Sequence, residues 1–409
     1  MKQGIQSNGN STALLKKSSK EQDFEYVIAP LTEAEFYSDF YEKKVCRIHR
    51  NQADYYKNLL SVELLDEVLH SHPLSYPNAK LVNASKESPP NPESYTTAGN
   101  NIIHKAKFLK QFSEGSTMVF SALHDHLPSL NLFCNTMSQY FSHDFQTNIY
   151  CTPPDAQGFH THYDTHDVFI LQIEGSKKWR IYESPLVLPL KTQPFDDQKP
   201  GKIVEEFILN AGDMLYVPRG IMHDAVSNNV TSMHITAGLL AYSWSEFLIE
   251  AILHLSKKDE GFRRNLPVGF GYNPKGSDAK DTLQKLLDSL VKNINVEKGF
   301  DRFFKELISN DNPNFPGQLR QVMSLSDLSI DSEIRKLPNV NYEVSANSKK
   351  ILIHLYGQEL EFPTFTEPAV AFLEQNDSFK VADLPDCMDD AGKIVFVKRL
   401  VKEGLLNVL

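Results

Sequence analysis

The stretch GFHTHYDTHDVFILQ, Gly158 to Gln172, crowds His160, His162 and His166 together with Asp164 and Asp167, and then turns apolar. Imidazole nitrogens and carboxylate oxygens are the donors that hold divalent first-row metals. His162-Tyr163-Asp164 is an H-x-D. On an extended segment, residues two apart face the same side, so one imidazole and one carboxylate can converge on one ion. A third donor must come from elsewhere in the chain. AGDMLYVPRGIMHDAV offers His223, 61 residues beyond His162, after a strand and a Pro-Arg-Gly turn. Two histidines and one carboxylate on one face leave three positions of an octahedron open, the arrangement used by non-haem Fe(II) oxygenases.

A lone H-x-D is common by chance, so the other histidines compete. His160 lies two residues before His162 and stands as a fourth polar group or as its replacement. His166 and Asp167 continue past Asp164 and are expected to line the rim, with His166 meeting substrate. His124-Asp125-His126 is a second cluster, expected to be a helix-start surface feature outside any β-frame. His234 lies in an apolar strand and is expected to be a satisfied core histidine.

These donors need a rigid frame. From about Asn148 to Ala241 short β-rich runs alternate with turn residues: NIYCT, DVFILQI, KKWRIY, KIVEEFIL, DMLYVP and MHITAGLL. Such punctuation predicts a sandwich or barrel, and EGSK between two of the runs predicts a hairpin turn. The flanks are helical. Thr32 and Glu35 have capping-box spacing. ADYYKNLLSVELLDEVLHS and LPSLNLFCNTMSQYF carry a helical apolar period. Past Trp244 that period returns in SEFLIEAILHLSKK, DTLQKLLDSLVKNI and KGFDRFFKELIS. NDNPNFPG predicts a linker. KKILIHLYGQELEF predicts a short β pair, with helices in EPAVAFLEQN and DDAGKIVFVKRLVKEGLL.

The whole chain sets bounds. It has 409 residues, 41% hydrophobic, 11% aromatic and 23% charged, which suits two or three domains rather than a disordered chain. No apolar run approaches a membrane span, and the polar N-terminus lacks a signal-peptide centre. Four scattered cysteines argue for a reducing compartment, so a cytoplasmic location is expected. The net charge of −10 favours basic protein or peptide partners over bare nucleic acid.

NIYCTPPDAQGFHTHYDTHDVFILQIEGSKKWRIYESP with GDMLYVPRGIMHDAV resembles the JmjC-type, cupin-fold 2-oxoglutarate oxygenases, and among them the ribosomal oxygenases, which hydroxylate arginine or histidine of ribosomal proteins. The N-x-Y-x-TP lead-in, Q-G-F, H-Y-D, the V-F-x-L-Q strand and G-x-K-x-W-R stand in order. The resemblance implies an α+β chain. A double-stranded β-helix is followed by a helical dimerisation region and a winged-helix-like domain. The expected boundaries are a disordered lead over 1–24, the catalytic domain over 25–243, the dimerisation region over 244–315 and the winged helix over 316–409. It implies Fe(II) on His162, Asp164 and His223, and 2-oxoglutarate as co-substrate. Lys177 would pair with the distal carboxylate of 2-oxoglutarate, a dicarboxylate needing a cation there. Asn148 and Thr236 would contact the co-substrate, and Tyr150 would face the peptide. Where some relatives carry a co-substrate serine, this chain has Gly238.

The expected activity is an Fe(II)- and 2-oxoglutarate-dependent dioxygenase hydroxylating a protein or peptide side chain, possible targets including a ribosomal protein. The expected assembly is a homodimer with no direct DNA binding and no membrane contact. Three readings compete: demethylation of N-methyl-lysine or arginine by the same chemistry, a cupin using its metal without 2-oxoglutarate, and a non-catalytic interaction protein built on the winged helix.

Overall fold

The computed structural model describes residues 23–86, 88–195, 199–272, 277–293, 300, 317–337, 340 and 342–409. Residues 1–22 of the lead, the helix expected in KGFDRFFKELIS apart from Phe300, and the linker apart from Gly317 lie outside the described residues, whereas Asp23 and Phe24, expected to end a disordered lead, cap and open a helix. The chain divides into two units between Ala241 and Tyr242.

Among the described residues of the first unit, five α-helices precede the strands that carry the histidines: α1 (Phe24–Ile28), α2 (Glu33–Asp39), α3 (Val62–Ser71), α4 (Lys105–Ser113) and α5 (Pro128–Phe141). Thr32 and Glu35 close a reciprocal capping box on α2. The helix expected from Ala53 onward starts only at Val62. Ser61 accepts the amide of Leu64 and caps α3 there, and the residues before it form turns. Serine competes for its own backbone and favours a cap over a helix interior.

Among the described residues of this unit, ten strands build two sheets. The larger has the order β1 (Cys46–Ile48), β8 (Met214–Val217), β5 (Asp167–Glu174), β10 (Ser232–Leu240), β4 (Asp144–Thr152), β3 (Thr117–Ser121) and β2 (Ala79–Val82). The smaller has the order β7 (Ile203–Asn210), β6 (Ser176–Tyr182) and β9 (His223–Ser227). All pairings are antiparallel. Alternation then gives each strand two roles. Phe169, Leu171, Ile235, Ala237 and Leu239 join the helices in one core. Val168 and Ile170 of β5, Trp179 and Ile181 of β6, Phe207 and Leu209 of β7, and Leu215 and Val217 of β8 meet between the sheets. Side chains of the two sheets thus share one interior, as in a cupin barrel.

EGSK is not a hairpin. β5 pairs with β10 and β8, whereas β6 pairs with β7 and β9. The chain changes sheet at Gly175, which has φ +62° and sits where any side chain would run into the carbonyl of Thr231. A corner and a hairpin share the same glycine signal, because both need a left-handed residue between two strands.

The second unit opens with α6 (Trp244–Lys258), capped by a Ser243–Glu246 box, and α7 (Ser277–Asn293). Beyond Gly317 come two three-stranded sheets. One has the order β12 (Glu343–Ala346), β13 (Lys350–Leu355) and β14 (Gln358–Pro363). The other has β15 (Ser378–Lys380), β11 (Glu333–Lys336) and β16 (Leu406–Val408). With helices over Glu367–Gln375 and Asp390–Lys402 they enclose a core including Ile334, Ile353, Val370, Val397 and Leu400. Among the described residues no helix is long and apolar enough to cross a membrane.

Candidate metal centre

The H-x-D does not lie on a regular strand. It lies in the segment between β4 and β5, which touches β9 through two isolated bridges, Gln157 to Val226 and His162 to His223. At the second bridge the His162 amide donates to the His223 carbonyl at 3.0 Å and the His223 amide returns the bond at 2.8 Å. Two histidines 61 residues apart are thereby backbone neighbours. Asp164 is held by the turn that ends β8: the Gly220 amide donates to the Asp164 carbonyl at 3.0 Å. Gly220 has φ +86°, and a Cβ there would lie 2.5 Å from the Leu186 carbonyl.

The side chains converge. His162 Nε2 lies 4.0 Å from Asp164 Oδ1, and His223 Nε2 lies 3.7 Å from Asp164 Oδ2. One donor atom from each of the three falls within 4.8 Å of the others. Both rings are oriented from behind. His162 Nδ1 meets the His160 carbonyl at 2.8 Å, and His223 Nδ1 meets the Ile221 carbonyl at 2.9 Å. A carbonyl only accepts, so each Nδ1 carries the proton and each Nε2 presents a lone pair to the centre. Burial and the neighbouring His162 ring push the pKa of His223 down, which keeps it the neutral ligand a metal requires. His160 itself is exposed and supplies only its carbonyl.

At the same interior lies Lys177. It is 4% exposed, while Lys178, one residue on, is half exposed and paired with Glu206 at 2.8 Å. The Lys177 ammonium donates to Thr152 Oγ1 at 3.1 Å and has no ion pair among the described residues. Burial lowers its pKa to about 8. The neighbouring Cys151 thiol is pushed up to about 12 by burial, so it brings no negative charge. A buried cation with one neutral acceptor is costly, and a carboxylate in this pocket would offset the cost. The donor set and the pocket therefore fit a divalent metal at one end and a dicarboxylate reaching Lys177 at the other.

The comparisons with known proteins agree with this geometry. Residues 122–247 match the JmjC domain. The chain carries a JmjC domain. Against the bifunctional lysine-specific demethylase and histidyl-hydroxylase NO66 of Dictyostelium discoideum it is 27% identical, over 93% of this chain and 81% of that one. Against the Drosophila erecta protein of that name it is 28% identical, over 66% of this chain and 42% of that one. The chain thus spans less than half the length of such Drosophila relatives. The Escherichia coli ribosomal oxygenase YcfD, in complex with cobalt and 2-oxoglutarate, superposes with a TM-score of 0.53 at 17% identity, covering 93% of this chain and 98% of that one. That likeness shows a shared fold.

The strand register gives the positions of the remaining residues. Directly opposite residues of an antiparallel pair share a face. Asn148 opposes Thr236, and Tyr150 opposes His234, so all four line the interior with Thr152. Burial, with the nearby Asp164 charge, holds the Tyr150 phenol above its usual range, so it stays a neutral donor. Gly238 faces the same way, and the ring of His166 occupies the space above it: a Cβ at 238 would lie 2.7 Å from His166 Cδ2.

Three expectations need correction. Asp167 is not at the rim. It is buried, accepts from the Tyr216 hydroxyl at 3.0 Å and the Arg219 amide at 2.8 Å, and pairs with the Arg219 guanidinium, which also holds Glu42. It braces the turn before His223. His124 is not a free surface group: its ring is largely covered and accepts the Thr147 amide of β4 at 3.2 Å. His234 is buried but not satisfied. It is 3% exposed, stacks on Tyr150 at 4.9 Å, and its Nδ1 has no partner. Burial and then Lys177 drive its pKa well below the ordinary value. Sequence reasoning also missed Thr152, although it stands in the quoted lead-in, and Asp224, which only its position beside His223 could have flagged.

Proposed function

We propose that this chain is an Fe(II)- and 2-oxoglutarate-dependent dioxygenase that hydroxylates a side chain of a protein or peptide. The observation that carries the reading is the pairing, in one barrel interior, of the His162–Asp164–His223 cluster with the uncompensated cation of Lys177. When bound, iron and 2-oxoglutarate supply oxidative decarboxylation coupled to insertion of one oxygen atom into a C–H bond. The chain's own residues do the rest. His162, Asp164 and His223 would hold the metal. Lys177, beside Thr152, would pair with the distal carboxylate and orient the co-substrate. Asn148, Tyr150 and Thr236 line the wall between these ends, and the His166 ring fills the space that Gly238 leaves beside them.

NO66 relatives are named for both histidyl hydroxylation and lysine demethylation, so loss of an N-methyl group through the same C–H oxidation is the second reading. We place the target among ribosomal proteins, as the name of YcfD suggests. Further parts of the proposal are a homodimer through α6 and α7, a winged-helix-like module after Gly317 and a cytoplasmic location. Support for the dimer is the apolar face of α6, where Trp244 is 72% exposed and Leu248, Ile249 and Leu253 are exposed with it.

The test is 2-oxoglutarate turnover by the purified chain with Fe(II), followed by mass spectrometry of proteins from cells with and without it. A gain of one oxygen atom on a target supports hydroxylation, and a lost methyl group supports demethylation. Absence of metal-dependent turnover, with Asp164→Ala behaving like the wild type, would remove the proposal.

A further inference from the structure

Two of the three donors, His162 and Asp164, sit on a segment that no continuous ladder holds. Between its two bridges to β9, at Gln157 and His162, the chain leaves the sheet. Something must keep this segment at the right distance from His223, because donors misplaced by even an ångström lose much of what a site provides.

On the opposite face of β9 from His223 lies Asp224, 3% exposed. Adjacent residues of a strand face opposite ways, so Asp224 looks away from the metal cluster. Its carboxylate is nonetheless heavily bonded. Oδ1 accepts from Arg180 Nε at 2.7 Å, and Oδ2 accepts from the Tyr182 hydroxyl at 2.7 Å and from the Thr161 hydroxyl at 2.7 Å. Arg180 and Tyr182 belong to β6, whose Arg180 stands opposite Asp224 and whose Ile181 stands opposite His223. Thr161 belongs to the loose segment and directly precedes His162. One carboxylate therefore ties three pieces of chain together: the β6 strand, the His223 strand and the segment carrying the other two donors.

We infer that Asp224 and Thr161 are positioning residues for the metal centre: their hydrogen bond locks the His162–Asp164 segment onto β9 and sets donor spacing, while the fold stands without it. The bond lies beside the backbone bridge of His162 and His223, and together they fix both the position and the tilt of the segment. Arg180 and Tyr182 hold the carboxylate in the one orientation that meets Thr161. The inference rests on the triad proposed above. Hydrogen-bond partners that orient metal ligands are typically worth about ten- to a hundredfold in metal affinity. The lower end is expected for a contact that acts through the neighbouring residue.

The test is titration of the metal-free full-length chain with Co(II) alone, read by the visible absorption of the bound ion, beside thermal melting of the same metal-free protein. Thr161→Val keeps the shape and removes the hydroxyl. It should weaken Co(II) binding by about tenfold and change the shape of the absorption band, while the metal-free melting temperature stays at the wild-type value. Thr161→Ser should restore both affinity and spectrum. In an Asp224→Ala background, Thr161→Val should have no further effect, since residues acting through one bond are non-additive. Wild-type affinity and spectrum in Thr161→Val would overturn the inference. So would a large loss of metal-free stability rescued by Thr161→Ser, which would make the contact a general structural one. Failure of the triad itself reads differently: the wild type and Asp164→Ala would then bind Co(II) alike.

Discussion

Replacing Lys177 by methionine separates what this residue costs from what it does. The ammonium is 4% exposed and has one neutral acceptor, Thr152. Burial lowers its pKa from 10.5 to about 8. At about 1.4 kcal/mol per unit, this is roughly 3 kcal/mol by which the folded protein disfavours the charged form. The unfolded chain keeps its proton up to about 10.5, whereas the folded chain releases it above about 8. Between these values the unfolded state binds the extra proton, so stability rises with pH. The penalty is fully present below pH 8 and relieved above 10.5. Lys177→Met, similar in length and uncharged, should therefore stabilise the protein without co-substrate by up to about 3 kcal/mol at neutral pH. For a unit of this size that corresponds to a rise of up to about 6–12 °C in Tm. The advantage should vanish as the pH approaches the lysine's unfolded value. The same substitution removes a charge-assisted bond of about 1.5–3 kcal/mol, so 2-oxoglutarate should bind at least about tenfold more weakly. In the wild type, the distal carboxylate should draw the lysine's pKa back up. Binding should then take up protons near pH 8, and affinity should fall as the pH rises further. Differential scanning calorimetry across pH, and isothermal titration in buffers of different ionisation enthalpy, read both effects. A Lys177→Met protein that melts at or below the wild type at neutral pH would refute the idea of an uncompensated cation, and binding without proton uptake would refute the clamp.

Asp164→Ala removes the only anionic donor of the cluster and should abolish 2-oxoglutarate turnover with an unchanged circular dichroism spectrum, whereas Lys178→Ala should leave turnover at the wild-type level. Gly238→Ser brings a Cβ within 2.8 Å of the His166 ring, so the ring must move; the KM for the protein substrate should rise more than the KM for 2-oxoglutarate. Trp244→Glu on the exposed face of α6 should convert a dimer in light scattering to a monomer, since a charge cannot be buried unpaired at such an interface. Ile351 to Leu409 carries five Lys and Arg against ten Asp and Glu, 5 − 10 = −5, so the full chain should show no binding to duplex DNA in fluorescence anisotropy at physiological salt.

What could be read from the sequence follows what is local. The capping box at Thr32 sets a helix start, and runs such as DVFILQI and DMLYVP declare strands by composition. His162, Asp164 and His223 are also legible as candidate donors, because side-chain type limits which residues can hold a metal, although His124, His143 and His166 stand beside a carboxylate too. What escaped is what two distant segments make together. MHITAGLL has apolar or small residues on both faces, so a period of two cannot say that His234 faces the interior beside Tyr150 and Lys177. HDVF cannot announce that Arg219 and Tyr216 will bury Asp167. The glycine of EGSK marks a left-handed residue and is silent on whether the strands it joins will pair. The division also separates two kinds of demand on the chain. Donors must have a given chemistry, so they show as letters. Their spacing is set by contacts such as Thr161 to Asp224, which a hydroxyl and a carboxylate can make anywhere in a protein, so position in the fold alone gives them a role. A chain could therefore keep every donor of the cluster and still bind a metal about tenfold more weakly through a change at Thr161, with nothing in the motif to signal it.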